Sequence, residues 1–199
     1  TLYKEPRGGA SRPERRKDRS GTGTRRIYAP NARRYNRAND KQTETDGMIR
    51  EFHQIDLSGR NSFGVGQQAA RLAEFETEED LRTIFSGGVP ERWAVLSGGN
   101  NILFTRDYDG LLLTPVARQI TPLGEEGDTV RVRADAGVEW HDLVEWAVER
   151  GLWGIENLSL IPGKAGAAPV QNIGAYGCEA KDVIERVHMF CTDNRSAMV

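Results

Sequence analysis

Cysteine is scarce in this chain of 199 residues, which has only Cys178 and Cys191. Two thiols without metal-ligand spacing and without a neighbouring histidine support neither a disulfide framework nor a zinc site. We therefore expect both cysteines to be small buried residues. The three histidines are scattered along the chain, so they favour no other metal centre.

Long apolar runs are also missing. No stretch reaches the 18 apolar residues of a membrane-spanning helix, and none has the apolar centre of a signal peptide. We therefore expect a cytoplasmic protein without membrane contacts. Hydrophobic residues make up 38% and charged residues 28% of the chain, which is close to the average of globular proteins.

Acidic and large apolar residues are sparse in residues 1–47. This stretch holds 13 of the 27 Lys and Arg but 6 of the 29 Asp and Glu, so its net charge is +7 against −9 for the rest. Because it cannot offset its ordering entropy by burial, we expect a disordered basic extension. Met48 opens a segment that reads like a natural start, so the extension could be upstream sequence that has been read through.

A nucleic-acid-binding function is the alternative for this extension. Tyrosines alternate with arginines between Arg25 and Arg37, and arginines can neutralise phosphates while aromatic rings stack on bases. Such binding would depend steeply on salt and would be lost when the chain starts at Met48. We nevertheless expect no nucleic-acid partner.

From Met48 onward, strand-like and helical patterns alternate, which predicts an α/β or α+β body. Thr77 and the three carboxylates after it predict the start of a helix, and apolar residues from Trp140 recur at helical spacing until Gly151. Strands are predicted at residues 93–96, 102–104, 111–113 and, from period-two alternation, 130–136. One strand-rich unit ends and the next begins near residues 106–115, which predicts two subdomains over residues 48–110 and 111–199.

Two loops have the composition of a phosphate-binding site. In the first, adjacent glycines can adopt positive φ and turn backbone N–H groups toward an anion such as a diphosphate. An ordinary turn is the alternative for this segment. The candidate residues in this loop are Ser97, Gly98, Gly99, Asn100 and Asn101.

The second loop runs from Ile161 to Gly177 and is rich in glycine, alanine and proline. Small residues let a flat ring or a phosphate touch the main chain, while amide and phenol groups can donate hydrogen bonds. Close packing of backbone elements is the alternative. The charge of Lys164 could approach a phosphate, but we expect a solvated side chain. The candidate residues are Ile161, Pro162, Gly163, Gly166, Ala167, Gln171, Asn172, Ile173, Gly174, Ala175, Tyr176 and Gly177.

Neither loop matches the fingerprints of the common nucleotide-binding folds. The Gly-x-Gly-x-x-Gly pattern is absent, and Gly163-Lys164 is followed by Ala165 where a P-loop needs a hydroxyl. The sequence therefore disfavours a Rossmann fold or an ATPase. It favours a nucleotide site built from two separate backbone loops.

The order of four motifs resembles the UDP-N-acetylenolpyruvoylglucosamine reductase family, flavoenzymes of peptidoglycan precursor synthesis. The motifs are Asn61–Gly64, Ser97–Asn101, Gly154–Leu158 and Ile161–Gly177. The resemblance covers about residues 48–193, and its most specific part is Pro169–Gly177, which resembles the form with the longer substrate domain.

The resemblance implies an α+β fold of the vanillyl-alcohol-oxidase type, in which two small subdomains hold FAD and both glycine-rich loops contact its diphosphate. In such enzymes NADPH reduces the flavin, and the flavin passes hydride to the enolpyruvyl group of the UDP-sugar substrate. The protein orients the cofactor and stabilises charge. We expect a monomer.

The catalytic arginine, serine and glutamate of that family have no match in this sequence, so no catalytic residue is assigned. The family's positions would follow the predicted strand at residues 188–192, and we expect the chain to be a truncated reductase, inactive alone. A non-catalytic FAD- or nucleotide-binding module is the alternative. Asn100 stands where the family usually has serine, and Ala167 and Ala168 lie where some members have hydroxyls, so side-chain donors are lost while backbone donors remain.

Overall fold

The computed structural model describes residues 2–4, 41–44, 49–193 and 196–198, and the side chains of residues 49–193. Its helices and strands form an α+β arrangement with a five-stranded sheet, a four-stranded sheet and two small hairpins. The α+β prediction is thus confirmed.

The five-stranded sheet forms the first half of the described chain. Its strands are β2 (Lys41–Glu44), β3 (Arg50–Asp56), β4 (Gln68–Phe75), β5 (Trp93–Val95) and β6 (Tyr108–Pro115). The spatial order is β2-β3-β4-β6-β5, in which β6 runs parallel to both β4 and β5. A 3-10 turn at Ser58–Arg60 follows β3.

Apolar side chains cover both faces of this sheet, which explains the nearly continuous apolar run of β6. Leu112 points into one cluster, while Leu111 and Leu113 point into the other. The second cluster includes Phe85, which follows helix α1 (Glu78–Ile84). The Thr77 hydroxyl accepts a hydrogen bond from the Asp80 amide at the start of α1, which confirms the predicted helix start.

The four-stranded sheet consists of β7 (Ile120–Glu126), β8 (Thr129–Ala134), β1 (Leu2–Lys4) and β9 (Leu152–Trp153), in that order, with antiparallel neighbours. Helix α2 (Trp140–Glu149) packs its buried face in the same cluster as Val130. The predicted helix and its end are confirmed, since Gly151 has a φ of +66°.

Short elements complete the chain. They are 3-10 turns at Glu156–Leu158, Ala165–Ala167 and Ala180–Asp182, helix α3 (Ala168–Gln171), and strands β10 (Gly174–Ala175), β11 (Cys178–Glu179), β12 (Met189–Cys191) and β13 (Ser196–Met198). Strands β10 and β11 form one hairpin, and β12 pairs with β13. Of the residues described, none belongs to a helix with the length and apolarity to span a bilayer.

Several sequence predictions differ from the structure. Residues 102–104 are not a strand. Ile102 and Phe104 pack in the core, but their backbone is an irregular loop. Strand β6 crosses the predicted boundary at residue 110 and belongs as a whole to the five-stranded sheet. Both cysteines are half-buried and not buried.

The expected disordered extension lies mostly outside the described residues. The two described pieces of it, β1 and β2, are strands and therefore depart from the expectation. β1 pairs with β8 and β9, and β2 pairs with β3, so backbone hydrogen bonds to existing sheets supply the order that apolar burial could not.

Candidate FAD site

The loop Ser97–Asn101 leaves the five-stranded sheet directly after β5. The Leu96 amide donates to the Leu113 carbonyl at 2.8 Å, which fixes the start of the loop against β6. Gly99 then adopts a φ of +64° with its α-carbon close to the main chain at Arg60. A β-carbon at this position would lie 2.0 Å from the Arg60 carbonyl oxygen, so only glycine fits here.

The motif Asn61–Gly64 supports that loop. Asn61 is buried, and its amide group donates to the carbonyls of Leu57 and Val65 at 2.6 and 3.0 Å. The Ser62 amide donates to the Gly99 carbonyl at 3.0 Å, and the Ser62 hydroxyl donates to the Asn100 side-chain oxygen at 2.6 Å. This motif therefore positions the first glycine-rich loop.

The start of the second loop is fixed to the N-terminal end of α2. The Trp140 amide donates to the Gly163 carbonyl at 2.9 Å, and the Ala165 amide donates to the Val138 carbonyl at 2.8 Å. The backbones of Glu139 and Lys164 lie opposite each other here as an isolated antiparallel β-bridge. The Trp140 indole also donates to the carbonyl of Leu158 at 3.0 Å, so the motif Gly154–Leu158 supports the second loop.

The two glycine-rich loops meet. A β-carbon on Gly98 would lie 3.4 Å from the α-carbon of Gly163. Between them is a cleft of about 350 Å³, within the size range of small-ligand sites. The predicted residues that line it are Ser97, Gly98, Asn100, Pro162 and Gly163.

Charged side chains from both halves of the fold also line the cleft, namely Arg60, Arg118, Glu139 and Lys164. Lys164 is 9% exposed and donates to the Pro115 carbonyl at 3.2 Å, so the expected solvated lysine is wrong. An Arg118 nitrogen lies 4.0 Å from a Glu139 carboxylate oxygen.

Burial is the largest cause of the pKa shifts of Lys164 and Glu139. Burial lowers the pKa of the Lys164 ammonium, and the Glu139 carboxylate raises it in part, with smaller effects of Arg118, Glu74 and Arg60. Burial likewise raises the pKa of the Glu139 carboxyl, and Lys164 and Arg118 lower it in part. Both charged forms are therefore less favourable here than in water.

Two buried hydroxyls of the cleft have no hydrogen-bond partner within the described residues. They are the side-chain oxygens of Ser97 and Thr114. Thr114 is at the end of β6, and like Arg118 and Glu139 it is not among the site residues predicted from the sequence. The one local signal for Thr114 was a hydroxyl residue closing a run of three leucines.

The other predicted residues lie elsewhere. Gly99 is buried below the first loop, Asn101 is exposed, and Ile161 packs beside the α2 cluster. Gly166 packs on Ala136 and lines a second cavity of about 630 Å³, which Lys164 does not line, and Ala167 is in a 3-10 turn.

Residues 171–177 do not line the cleft. Gln171 ends α3, and Asn172 has a φ of +42°. The Asn172 side-chain amide donates to the Glu179 carboxylate at 2.9 Å. Ile173 and Ala175 pack against the α2 cluster, while Gly174 is in β10. Tyr176, 91% exposed, and Gly177 form the two-residue hairpin turn with positive φ at both positions. A role of this hairpin in cofactor binding stays a prediction.

A family model described as "FAD binding domain" matches residues 69–195, which contain both glycine-rich loops and all the residues that line the cleft except Gly59 and Arg60. This match covers more than half of the chain. The chain belongs to the FAD-binding domain family. FAD is therefore the cofactor of this domain.

Curated relatives of this FAD-binding domain bear a common name. The UDP-N-acetylenolpyruvoylglucosamine reductase of Bacteroides fragilis is 45% identical over 132 residues, 66% of this chain and 40% of the relative. The enzyme of the same name from Neisseria gonorrhoeae is 44% identical over 146 residues, 72% of this chain and 42% of the relative. The chain thus spans about two fifths of the length of these relatives.

A solved structure shares the fold of this FAD-binding domain. The crystal structure of UDP-N-acetylenolpyruvylglucosamine reductase from Thermus caldophilus superposes with a TM-score of 0.58 at 23% identity, covering 75% of this chain and 51% of that one. Together with the family match, this likeness confirms the vanillyl-alcohol-oxidase type of FAD-binding fold.

Within the described residues, no three His, Cys, Asp or Glu side chains gather into a group that could hold a metal ion. The polar side chains that line the cleft instead carry hydroxyls, an amide, an ammonium, guanidinium groups and a carboxylate. This donor set suits an organic anion.

Proposed function

We propose that this FAD-binding domain serves the reduction of UDP-N-acetylenolpyruvoylglucosamine to UDP-N-acetylmuramate with NADPH as the hydride donor. The relatives of that name, 44–45% identical over about two thirds of this chain, support the proposal. The reaction is that of a whole reductase acting on a UDP-sugar, and we propose the cytoplasm as its place and a monomer as its form.

The observation that carries the proposal is the meeting of the two glycine-rich loops. Gly98 and Gly163 approach each other closely, with the Asn100 side-chain amide beside both, and their main-chain atoms line the cleft. Backbone N–H groups in loops with positive φ form anion-binding concavities. The loops would hold the diphosphate of FAD between the two sheets.

The residues present also fit this anion by their charge. Arg60, Arg118 and Lys164 outnumber Glu139 among the ionisable side chains that line the cleft. When bound, FAD would supply the hydride-transfer chemistry. The chain would bind the cofactor, fix its orientation and shield its diphosphate from water.

The first experiment tests the cofactor site. FAD is titrated into the purified chain after removal of any bound flavin, and quenching of flavin fluorescence gives the dissociation constant. We expect micromolar or tighter binding. A chain that stays folded by circular dichroism and yet does not quench flavin fluorescence would contradict the proposed FAD site.

The second experiment tests the reductase assignment. The segment of the Bacteroides fragilis reductase that matches this chain is replaced by the corresponding segment of this chain, and NADPH oxidation with UDP-N-acetylenolpyruvoylglucosamine is followed. We expect turnover, and none in a matched chimera carrying Gly99→Ala. A chimera that binds FAD but does not oxidise NADPH in response to the substrate would refute the reductase assignment and leave a flavin-binding module.

A further inference from the structure

The floor of the cleft holds side-chain donors that the protein itself does not use. Ser97 in the first loop follows Leu96, and Thr114 in β6 follows Leu113, so the hydrogen bond of 2.8 Å from the Leu96 amide to the Leu113 carbonyl brings them to neighbouring positions. Both hydroxyls are buried and lack a partner in the described chain. More than nine in ten buried polar groups of proteins are hydrogen-bonded, so two such hydroxyls in one cleft require an explanation.

Lys164 adds a third under-used donor beside them. Its ammonium donates to the carbonyl of Pro115, the residue next to Thr114. An ammonium has three N–H donors, and this carbonyl is its one hydrogen-bond acceptor among residues 49–193. No carboxylate of those residues forms an ion pair with it, although Glu139 is its bridge partner and influences its titration.

The burial of this lysine is costly without a further partner. A buried ammonium loses its hydration, and one carbonyl oxygen does not replace three water contacts. An anion in the cleft would accept hydrogen bonds from the ammonium and from the hydroxyl of Thr114 at the same time. Charge-assisted hydrogen bonds of this type are the strong ones.

On the basis of the proposed FAD function, we propose that Lys164 and Thr114 bind the diphosphate of FAD through their side chains, in addition to the backbone donors of the glycine-rich loops. Lys164 supplies the charge and Thr114 supplies a neutral donor from the end of β6. Ser97 donates from the facing loop. The site thus combines groups from the first loop, β6 and the second loop.

The first test replaces Lys164 by methionine, which keeps the length of the side chain and removes its charge. We expect the affinity for FAD to fall about 10-fold to 100-fold, the value of a hydrogen bond to a charged group. ADP, which has the diphosphate but no flavin, should lose affinity as a competitor by a similar factor. The matched control is Lys181→Met, because Lys181 is an exposed lysine paired with Glu179 outside the cleft.

The second test uses two threonines that share one property. Thr114 and Thr121 both have a buried hydroxyl without a partner in the described residues, but only Thr114 lines the cleft. Replacement by valine keeps the shape. We expect Thr114→Val to lower the FAD affinity about 3-fold to 10-fold, and Thr121→Val to leave it unchanged.

Thermal unfolding of the ligand-free variants separates binding from folding. Removal of a buried charge or of an unpaired hydroxyl should leave the melting temperature unchanged or raised. The proposal is overturned if Lys164→Met and Thr114→Val bind FAD like the parent chain, or if FAD affinity falls while ADP competition does not change. Failure of the parent chain itself to bind FAD would overturn the proposed function as well, so the two failures are distinguishable.

Discussion

Gly99 is the residue at which the packing of the first loop can be tested most directly. Substitution by alanine would add a β-carbon 2.0 Å from the Arg60 carbonyl oxygen and 2.8 Å from the Asn61 α-carbon. Both neighbours are main chain, so no rotamer change can relieve the clash. The loop must move, and it then loses the hydrogen bond from the Ser62 amide to the Gly99 carbonyl at 3.0 Å.

Two effects contribute to the cost of this substitution. A left-handed φ of +64° strains an alanine by about 1 to 2 kcal/mol. Forced packing of the extra carbon adds about 1 to 3 kcal/mol. We therefore expect Gly99→Ala to reduce the free energy of unfolding by about 3 kcal/mol and to abolish measurable FAD binding, since the whole loop is displaced.

Gly127 provides the matched control. It lies in the turn between β7 and β8 with a φ of +58°, and a β-carbon there meets nothing within 4 Å. Gly127→Ala includes the strain without the clash, and it should cost about 1 kcal/mol after the gain from a stiffer unfolded chain. Urea unfolding of both variants measures the difference, expected to be about 2 kcal/mol. Equal losses in the two variants would refute the close contact at Gly99.

Two further predictions concern the second loop. Trp140→Phe should cost about 2 kcal/mol, because the buried Leu158 carbonyl loses the indole donor at 3.0 Å, whereas Trp146→Phe should cost less in the same urea assay. Lys164 predicts a pH effect on the ligand-free chain: its pKa in the folded state is lowered from 10.5, so the unfolded chain holds more protons between the lowered pKa and 10.5. The free energy of unfolding should therefore rise with pH across this range relative to Lys164→Met, and a difference between the two chains that stays constant as the pH rises to 10.5 would contradict it.

The elements that could be predicted from the sequence depend on local signals. Helix α1 follows from the capping residue Thr77 and the carboxylates of its first turn, which act within four residues. The alternation in β8 is also local, with Arg131 and Arg133 exposed as its period predicts. In these segments the contacts that decide the structure are near in the chain.

The predictions failed where distant contacts decide. Ile102 and Phe104 are apolar because they enter the core, but their backbone finds no strand to pair with. Strand β1 has almost no local signal, and its order comes from pairing with residues about 130 positions away. Burial and secondary structure are separate properties, and an apolar run of three residues establishes only burial.

The candidate site shows the same division. The glycine-rich loops were recognised as segments, because backbone freedom is a property of local composition. Thr114 and Lys164 are 50 residues apart in the sequence, and only the approach of β6 to the second loop brings them together. For the same reason the sequence placed Lys164 in solvent, since its burial depends on Pro115 and Glu139.

The unused donors of the cleft explain why stability and cofactor affinity should oppose each other in this domain. In the ligand-free chain each unpaired buried hydroxyl costs about 1 to 3 kcal/mol, and the Lys164 ammonium is poorly compensated. A diphosphate bound there would satisfy these groups, so part of its binding free energy is the removal of a cost already present in the empty site. FAD should therefore stabilise the folded chain by its affinity, and variants that remove the unused donors should keep or gain stability while they lose part of that ligand-dependent increase.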